Sequence, residues 1–167
     1  MLGGPFAIDT GTWWIAIASS FALGFLVGAL PVGASEAVVL GIGAIPSPRL
    51  RAIVLVTFTA GHVLGKLPWY WLGAAGARIT WRRARGWVDR SHRVVAAHPT
   101  VGPAVMFPAA AVSLPPFHLA VIAAGIVRAR LAPCLAAAFA GRLVRFSLLA
   151  AFPPLVGYLL GTAPTSP

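Results

Sequence analysis

Three long uncharged stretches constrain this chain more than anything else. Thr10 to Ser35 and Phe146 to Pro167 contain no charged side chain, and from Val94 up to Arg128 only His98 and His118 interrupt the run. A membrane-spanning helix needs about 20 mainly apolar residues, because the hydrocarbon core is about 30 Å thick and a helix rises about 1.5 Å per residue. Of the 167 residues 59% are hydrophobic and only 10% charged, and the mean hydropathy is +0.87. Soluble domains carry about 25% charged residues. The chain reads as an all-α integral membrane protein forming a single transmembrane domain over residues 1–167.

The charge is distributed as a membrane protein would distribute it. Net charge is +10, and six of the 13 basic residues (Arg78, Arg82, Arg83, Arg85, Arg90, Arg93) fall between two apolar regions. The positive-inside rule makes that stretch cytoplasmic, places the C-terminal tail on the opposite side, and makes Arg78–Arg93 a contact for the anionic headgroups of membrane lipids. Nucleic acid is not expected, since no aromatic-basic platform or reading helix accompanies the charge. Cys134 is the single cysteine, which excludes an intrachain disulfide and a thiolate metal cluster. The N-terminus carries Asp9 where a signal peptide would carry basic residues, so the first apolar segment is expected to stay in the mature chain. The sequence leaves room for a homo-oligomer.

Two halves of similar plan emerge, residues 1–77 and 100–167, joined by a basic amphipathic connector over 78–99. In the first half an apolar arm, Trp13 to Leu30, meets a break at Pro31 and Gly33. A short arm, Ala37 to Ile45, follows, then a segment long enough to span, Ala52 to Gly76. In the second half an arm from Val101 to Val112 meets Pro115 and Pro116; a short arm over Phe117–Val127 follows, then a span from Cys134 to Leu160. Proline removes an amide donor and glycine loosens the backbone. Freed backbone groups survive within lipid only where protein or water encloses them. Trp13–Ile45 and Val101–Val127 are therefore expected as two re-entrant helical hairpins with tips at Pro31/Gly33 and Pro115/Pro116. With the spanning helices they would form an inverted repeat, the pattern of transporter folds. The rival expectation makes Trp13–Leu30 an ordinary span.

Ionisable residues inside apolar segments are costly, about 2.5–3.5 kcal/mol each on insertion scales, and so mark candidate sites. Glu36 follows the first break. Arg142 and Arg145, three residues apart on one helix face, lie inside the last span, and His62 and Lys66 are spaced i,i+4 in the earlier one. His118 follows the second break and titrates near neutral pH. These six residues are the candidate substrate or proton path, with Glu36 expected to share a polar cavity with both arginines. Arg85, Asp89 and Arg93 at i,i+4 spacing are expected to pair on the connector.

Enzyme motifs are missing: Ala60-Gly-His-Val-Leu-Gly65-Lys66-Leu67 departs from the phosphate-loop pattern at both ends, and three acids leave no carboxylate pair for acid-base work. No catalytic residue, cofactor or metal is expected.

The order of motifs resembles the DedA family, also called the VTT or SNARE-associated Golgi superfamily. The resemblance begins in Pro31-Val-Gly-Ala-Ser35-Glu36 and continues in Gly61-x-x-x-Gly65-Lys66-x-x-x-Tyr70-x-x-Gly73. It returns in Ala124-Gly125 followed by Arg128, and in Gly141-Arg142-x-x-Arg145-Phe146, which is similar to the YqaA-like branch. It implies opposed re-entrant hairpins and passage of a phosphate-bearing lipid or lipid carrier across the bilayer (flippase- or scramblase-like), with Glu36 as the intramembrane acid and a bacterial plasma membrane as the location. One departure stands out: larger DedA proteins carry arginines in the second hairpin, and Met106 to Phe117 contains none. Two other functions fit the residues, a proton-coupled exporter of small cationic or amphipathic compounds and a non-transporting membrane scaffold.

Overall fold

A computed structural model describes residues 10–30, 34–79, 85–114 and 116–159. Eight helices follow in order: α1 (Thr10–Ala29), α2 (Ser35–Gly43), α3 (Pro48–Leu64), α4 (Leu67–Ile79), α5 (Arg85–Ala97), α6 (Val101–Val112), α7 (Phe117–Ile126) and α8 (Leu131–Leu159). No strand occurs among the described residues.

Among the described residues, two helical stretches are long and apolar enough to cross a membrane, Pro48–Gly76 and Leu131–Phe152. The first contains α3 and most of α4, whose junction falls at Gly65 and Lys66. Large apolar side chains face outward along the molecule, among them Trp14, Ile15, Phe107, Leu119 and Leu148. A soluble monomer seldom exposes apolar surface on that scale, so these faces are the ones a bilayer covers. The chain is an all-helical membrane protein.

Local chemistry fixes several boundaries. Ser47 caps α3, its Oγ accepting from the Leu50 amide at 3.4 Å, with Pro48 in the first turn where its missing amide costs nothing. The α2 C-terminus is closed by Arg51, whose Nη1 donates to the Gly43 carbonyl at 3.1 Å, a cation where the helix dipole favours one. Trp69 Nε1 donates to the Ala29 carbonyl at 2.9 Å, satisfying one of the acceptors left open at the end of α1. Neither Trp13–Ile45 nor Val101–Val127 is a continuous helix: α1 stops six residues before α2 begins, and α6 gives way at Ser113, which adopts a left-handed φ of 63°. Of the expected hairpin tips, Pro31, Gly33 and Pro115 lie outside the described residues, while Pro116 is the exposed residue preceding α7.

The packing pairs α1 with α3, α6 with α8, α4 with α7, and α2 with both α8 and α3. Side chains at these contacts are reduced to hydrogen. A Cβ on Gly61 would fall on the Phe21 carbonyl oxygen, and one on Gly24 on the Phe58 carbonyl oxygen, so α1 and α3 touch backbone to backbone. Gly141 meets Phe107 in the α6·α8 contact, Gly125 meets Tyr70 between α7 and α4, and Gly43 meets Ala150 between α2 and α8. Helices in lipid gain no hydrophobic drive to associate, so this close approach and its van der Waals contact hold them.

Two apolar clusters result. One gathers Val63, Met106, Phe117, Val121 and neighbours, the other Val39, Leu55, Phe58, Phe146 and Ala150 with Ile42. Within the connector, α5 covers Arg85–Ala97, and its Asp89–Ala97 part turns by 100° into α6. Asp89 and Arg93 are both exposed, and no ion pair joins them among the described residues, because solvated side chains at i,i+4 gain too little to stay fixed. Arg82 and Arg83 lie outside the described residues.

The glycine contacts give a direct test. Gly61→Ala should lower the thermal unfolding midpoint in detergent, at a cost of about 1–3 kcal/mol for an overpacked contact. Gly41→Ala, where an added Cβ meets nothing within 4 Å, should be neutral or gain up to about 1 kcal/mol from better helix propensity.

Candidate functional site

The charged residues of the apolar segments gather where the two clusters meet, but they divide into two groups. In the first, Arg145 on α8 reaches Glu36 in the opening turn of α2: Nη2 donates to Glu36 Oε1 at 3.1 Å. Ser35 Oγ donates to Glu36 Oε2 at 2.9 Å. Arg145 Nη1 also donates to the Val112 carbonyl at 3.4 Å, one of the acceptors left open at the end of α6. One guanidinium thus ties α2 and α6 to α8. The carboxylate at a helix N-terminus is favoured by the dipole as well. The pair is partly accessible, at 26% for Arg145 and 34% for Glu36, so this centre opens toward the molecular surface.

The second group is closed. Arg142 is 6% exposed, Lys66 4% and His62 3%. The Arg142 guanidinium lies over the Phe117 ring at 4.6 Å and the Phe146 ring at 5.5 Å, so it bridges the two apolar clusters. The His62 ring stacks on Phe58 at 6.1 Å and meets Phe146 edge-on at 5.4 Å. A guanidinium over aromatic faces gains up to about 2 kcal/mol when desolvated, yet ring faces do not replace hydrogen bonds. Arg142 Nε and Nη1 and both His62 ring nitrogens are buried without a partner. His118 is only half-buried on α7 and lies within electrostatic reach of Lys66 and Arg142. Beside Lys66 and Phe117 is a cavity of about 20 Å³ whose walls also include Tyr70, Met106 and Cys134, room for about one water.

Of the two arginines expected to share a polar cavity with Glu36, Arg145 is hydrogen-bonded to the carboxylate, and Arg142 stays within electrostatic reach of it. Arg145 pairs with Glu36, whereas Arg142 points into the aromatic interior, because three residues along α8 turn the side chain far enough to reach Phe117 instead. His62 and Lys66 do come together with Arg142, even though the helix breaks at Gly65 between them. Nothing in the sequence marks Phe117 as a partner of Arg142, and Phe146 enters only as the last residue of the Gly141–Phe146 motif, four residues after Arg142. Ser35 and the Val112 carbonyl also escaped notice as partners. No group of three metal-ligating side chains occurs among the described residues.

Comparison of the chain with family models, with curated proteins and with solved structures finds no match in any of the three.

The aromatic bracket around Arg142 is open to measurement. Phe117→Leu should cost about 2 kcal/mol more in the wild-type background than in an Arg142→Met background, as a desolvated cation-π contact would. Equal costs in the two backgrounds, read from unfolding midpoints, would show that Phe117 serves only to fill space.

Proposed function

We propose that this protein moves a phosphate-bearing lipid, or its headgroup, across the bilayer along a path that passes the Glu36–Arg145 centre. The observation that carries the proposal is the charge arrangement itself. An ion pair with a partly open face sits among apolar helices, and two further cations are buried, Arg142 one turn earlier on α8 and Lys66 at the α3–α4 junction. Ionisable groups are retained inside a membrane chiefly where substrates, ions or protons pass. Glu36 already has its charge answered by Arg145, so the excess in this interior is positive. That favours an anionic cargo over the small cation of the exporter reading, and cation–phosphate pairing is strong.

Several features support the accompanying architecture. Each short arm packs chiefly on the other half: α2 lies mainly on α8 and α7 on α4, while α1 lies on α3 and α6 on α8. Gly61 and Gly141 occupy like places in the long-arm contacts, and Gly43 and Gly125 in the short-arm contacts. This exchange is what two inverted, interlocked halves with re-entrant hairpins would produce. The motif order resembling the DedA family points the same way, with the plasma membrane of a bacterium as the corresponding location. On α5, Arg90 and Arg93 are exposed next to the half-exposed Val94, an arrangement suited to anionic headgroups at the membrane surface.

The test is a flip assay in reconstituted vesicles with a fluorescent lipid bearing a phosphate headgroup. Glu36→Gln should slow flipping by at least about tenfold, equivalent to about 1.4 kcal/mol on the barrier, and Glu36→Asp should retain part of the rate. Full flipping by Glu36→Gln would take Glu36 out of the mechanism and put the scaffold reading ahead.

A further inference from the structure

Helix α7 ends in an unusual way. The Ala129 amide donates to the Ala124 carbonyl at 2.9 Å and the Arg128 amide to the Gly125 carbonyl at 3.0 Å. This paired closure needs a left-handed residue and most often uses glycine. Here the left-handed residue is Arg128, at φ 49°. A side chain at that φ crowds its own backbone, so glycine would close the helix better. The Arg128 side chain is exposed and forms no hydrogen bond or ion pair among the described residues. Instead it walls an open groove of about 520 Å³ together with Tyr70, Trp71, Ala74 and Ala75 of α4. Sites that take a small molecule typically measure about 300–1,000 Å³. The frame of the groove is fixed. Tyr70 Oη donates to the Ala129 carbonyl at 2.9 Å, Trp71 meets the Tyr70 ring edge-on at 5.5 Å, and Gly125 brings α7 against the Tyr70 carbonyl.

We infer that this groove holds one anionic phospholipid, with its phosphate on Arg128 and an acyl chain along α4. Three observations converge on that occupant. The α4 walls fall within the last two turns of the apolar stretch Pro48–Gly76, so the medium against them is lipid. Trp71 is 60% exposed and stands beside Tyr70; such rings, apolar with one polar atom, settle at headgroup level. Arg128 adds a positive charge that no carboxylate answers, the complement of a phosphate. A zwitterionic headgroup would bring its own cation to the same place, so the site selects net negative charge. Ala74 and Ala75, being small, leave the outer face of α4 open to a chain. The groove is separate from the Glu36–Arg145 centre, because Arg145 lies about 21 Å along α8 from Leu131. It would exist in a scaffold as readily as in a transporter, so its test does not depend on lipid passage.

A ligand bound only by the folded protein raises its stability as it saturates. Purified full-length protein in neutral detergent should gain about 4 °C in unfolding midpoint from dioleoyl phosphatidylglycerol at tenfold its half-saturating concentration. Phosphatidylcholine with the same chains should add little. Native mass spectrometry should count one phosphatidylglycerol per chain. Arg128→Gly should lose that adduct and the gain, while its midpoint in detergent alone stays level or rises, because glycine relaxes the left-handed turn. Arg128→Lys should keep most of both signals. Arg49→Gln, which removes an exposed charge at the other end of the Pro48–Gly76 stretch, should keep both in full. Equal gains from the two lipids would overturn the inference, since the groove would then select no charge. Full retention of phosphatidylglycerol by Arg128→Gly would overturn it, and so would an equal loss in Arg49→Gln, the mark of general charge attraction. A dimer in the same spectra that Trp71→Ala dissolves and lipid does not alter would also overturn it, assigning the groove to a second copy of the chain.

Discussion

Where water is absent, every polar group must find its partner within the protein, and this condition shapes each level of the fold. It confines the backbone to helices, and it forces the places where helices stop to be closed by side chains. Arg51 on the Gly43 carbonyl, Trp69 on the Ala29 carbonyl and Arg145 on the Val112 carbonyl each serve a helix end. It also sets how helices touch. With no hydrophobic drive between them, α1 and α3 come together through Gly24, Gly28, Gly61 and Gly65, each pressed against a carbonyl of the opposite helix.

The same condition explains how the charges divide. Arg145 sits far enough toward the surface to share a partly open site with Glu36, and its two ends fasten α2 and α6 to α8. Arg142, three residues earlier, falls between Phe117 and Phe146 and receives ring faces in place of oxygen. A single helix thereby offers an accessible ion pair and an enclosed cation. The first is suited to exchange with a passing group, and the proposal for lipid passage follows from it.

Much of this was legible in the sequence. The uncharged runs located the apolar helices, the prolines and glycines located the breaks, and rarity alone marked Glu36, Lys66, Arg142 and Arg145. What the sequence could not provide was direction. Two arginines on one face read as a pair, yet the few tens of degrees between them decide that one meets a carboxylate and the other an aromatic ring. Partners such as Ser35 and the Val112 carbonyl belong to helix ends, whose geometry depends on tertiary packing. On the connector, the i,i+4 spacing of Asp89 and Arg93 reads as an ion pair. Asp89 and Arg93 are exposed, and no ion pair joins these two.

The account depends most on the Glu36–Arg145 bond joining α2 to α8. A double-mutant cycle with Glu36→Gln, Arg145→Gln and the combined variant, read as unfolding free energy in detergent or lipid nanodiscs, measures that bond alone. The predicted coupling is about 1–3 kcal/mol, above the about 0.2–1 kcal/mol of a pair exposed to water, with the double variant more stable than the sum of the single losses implies. Losses that add to within about 0.5 kcal/mol would mean that the two residues do not act on each other, and would contradict the account at its centre.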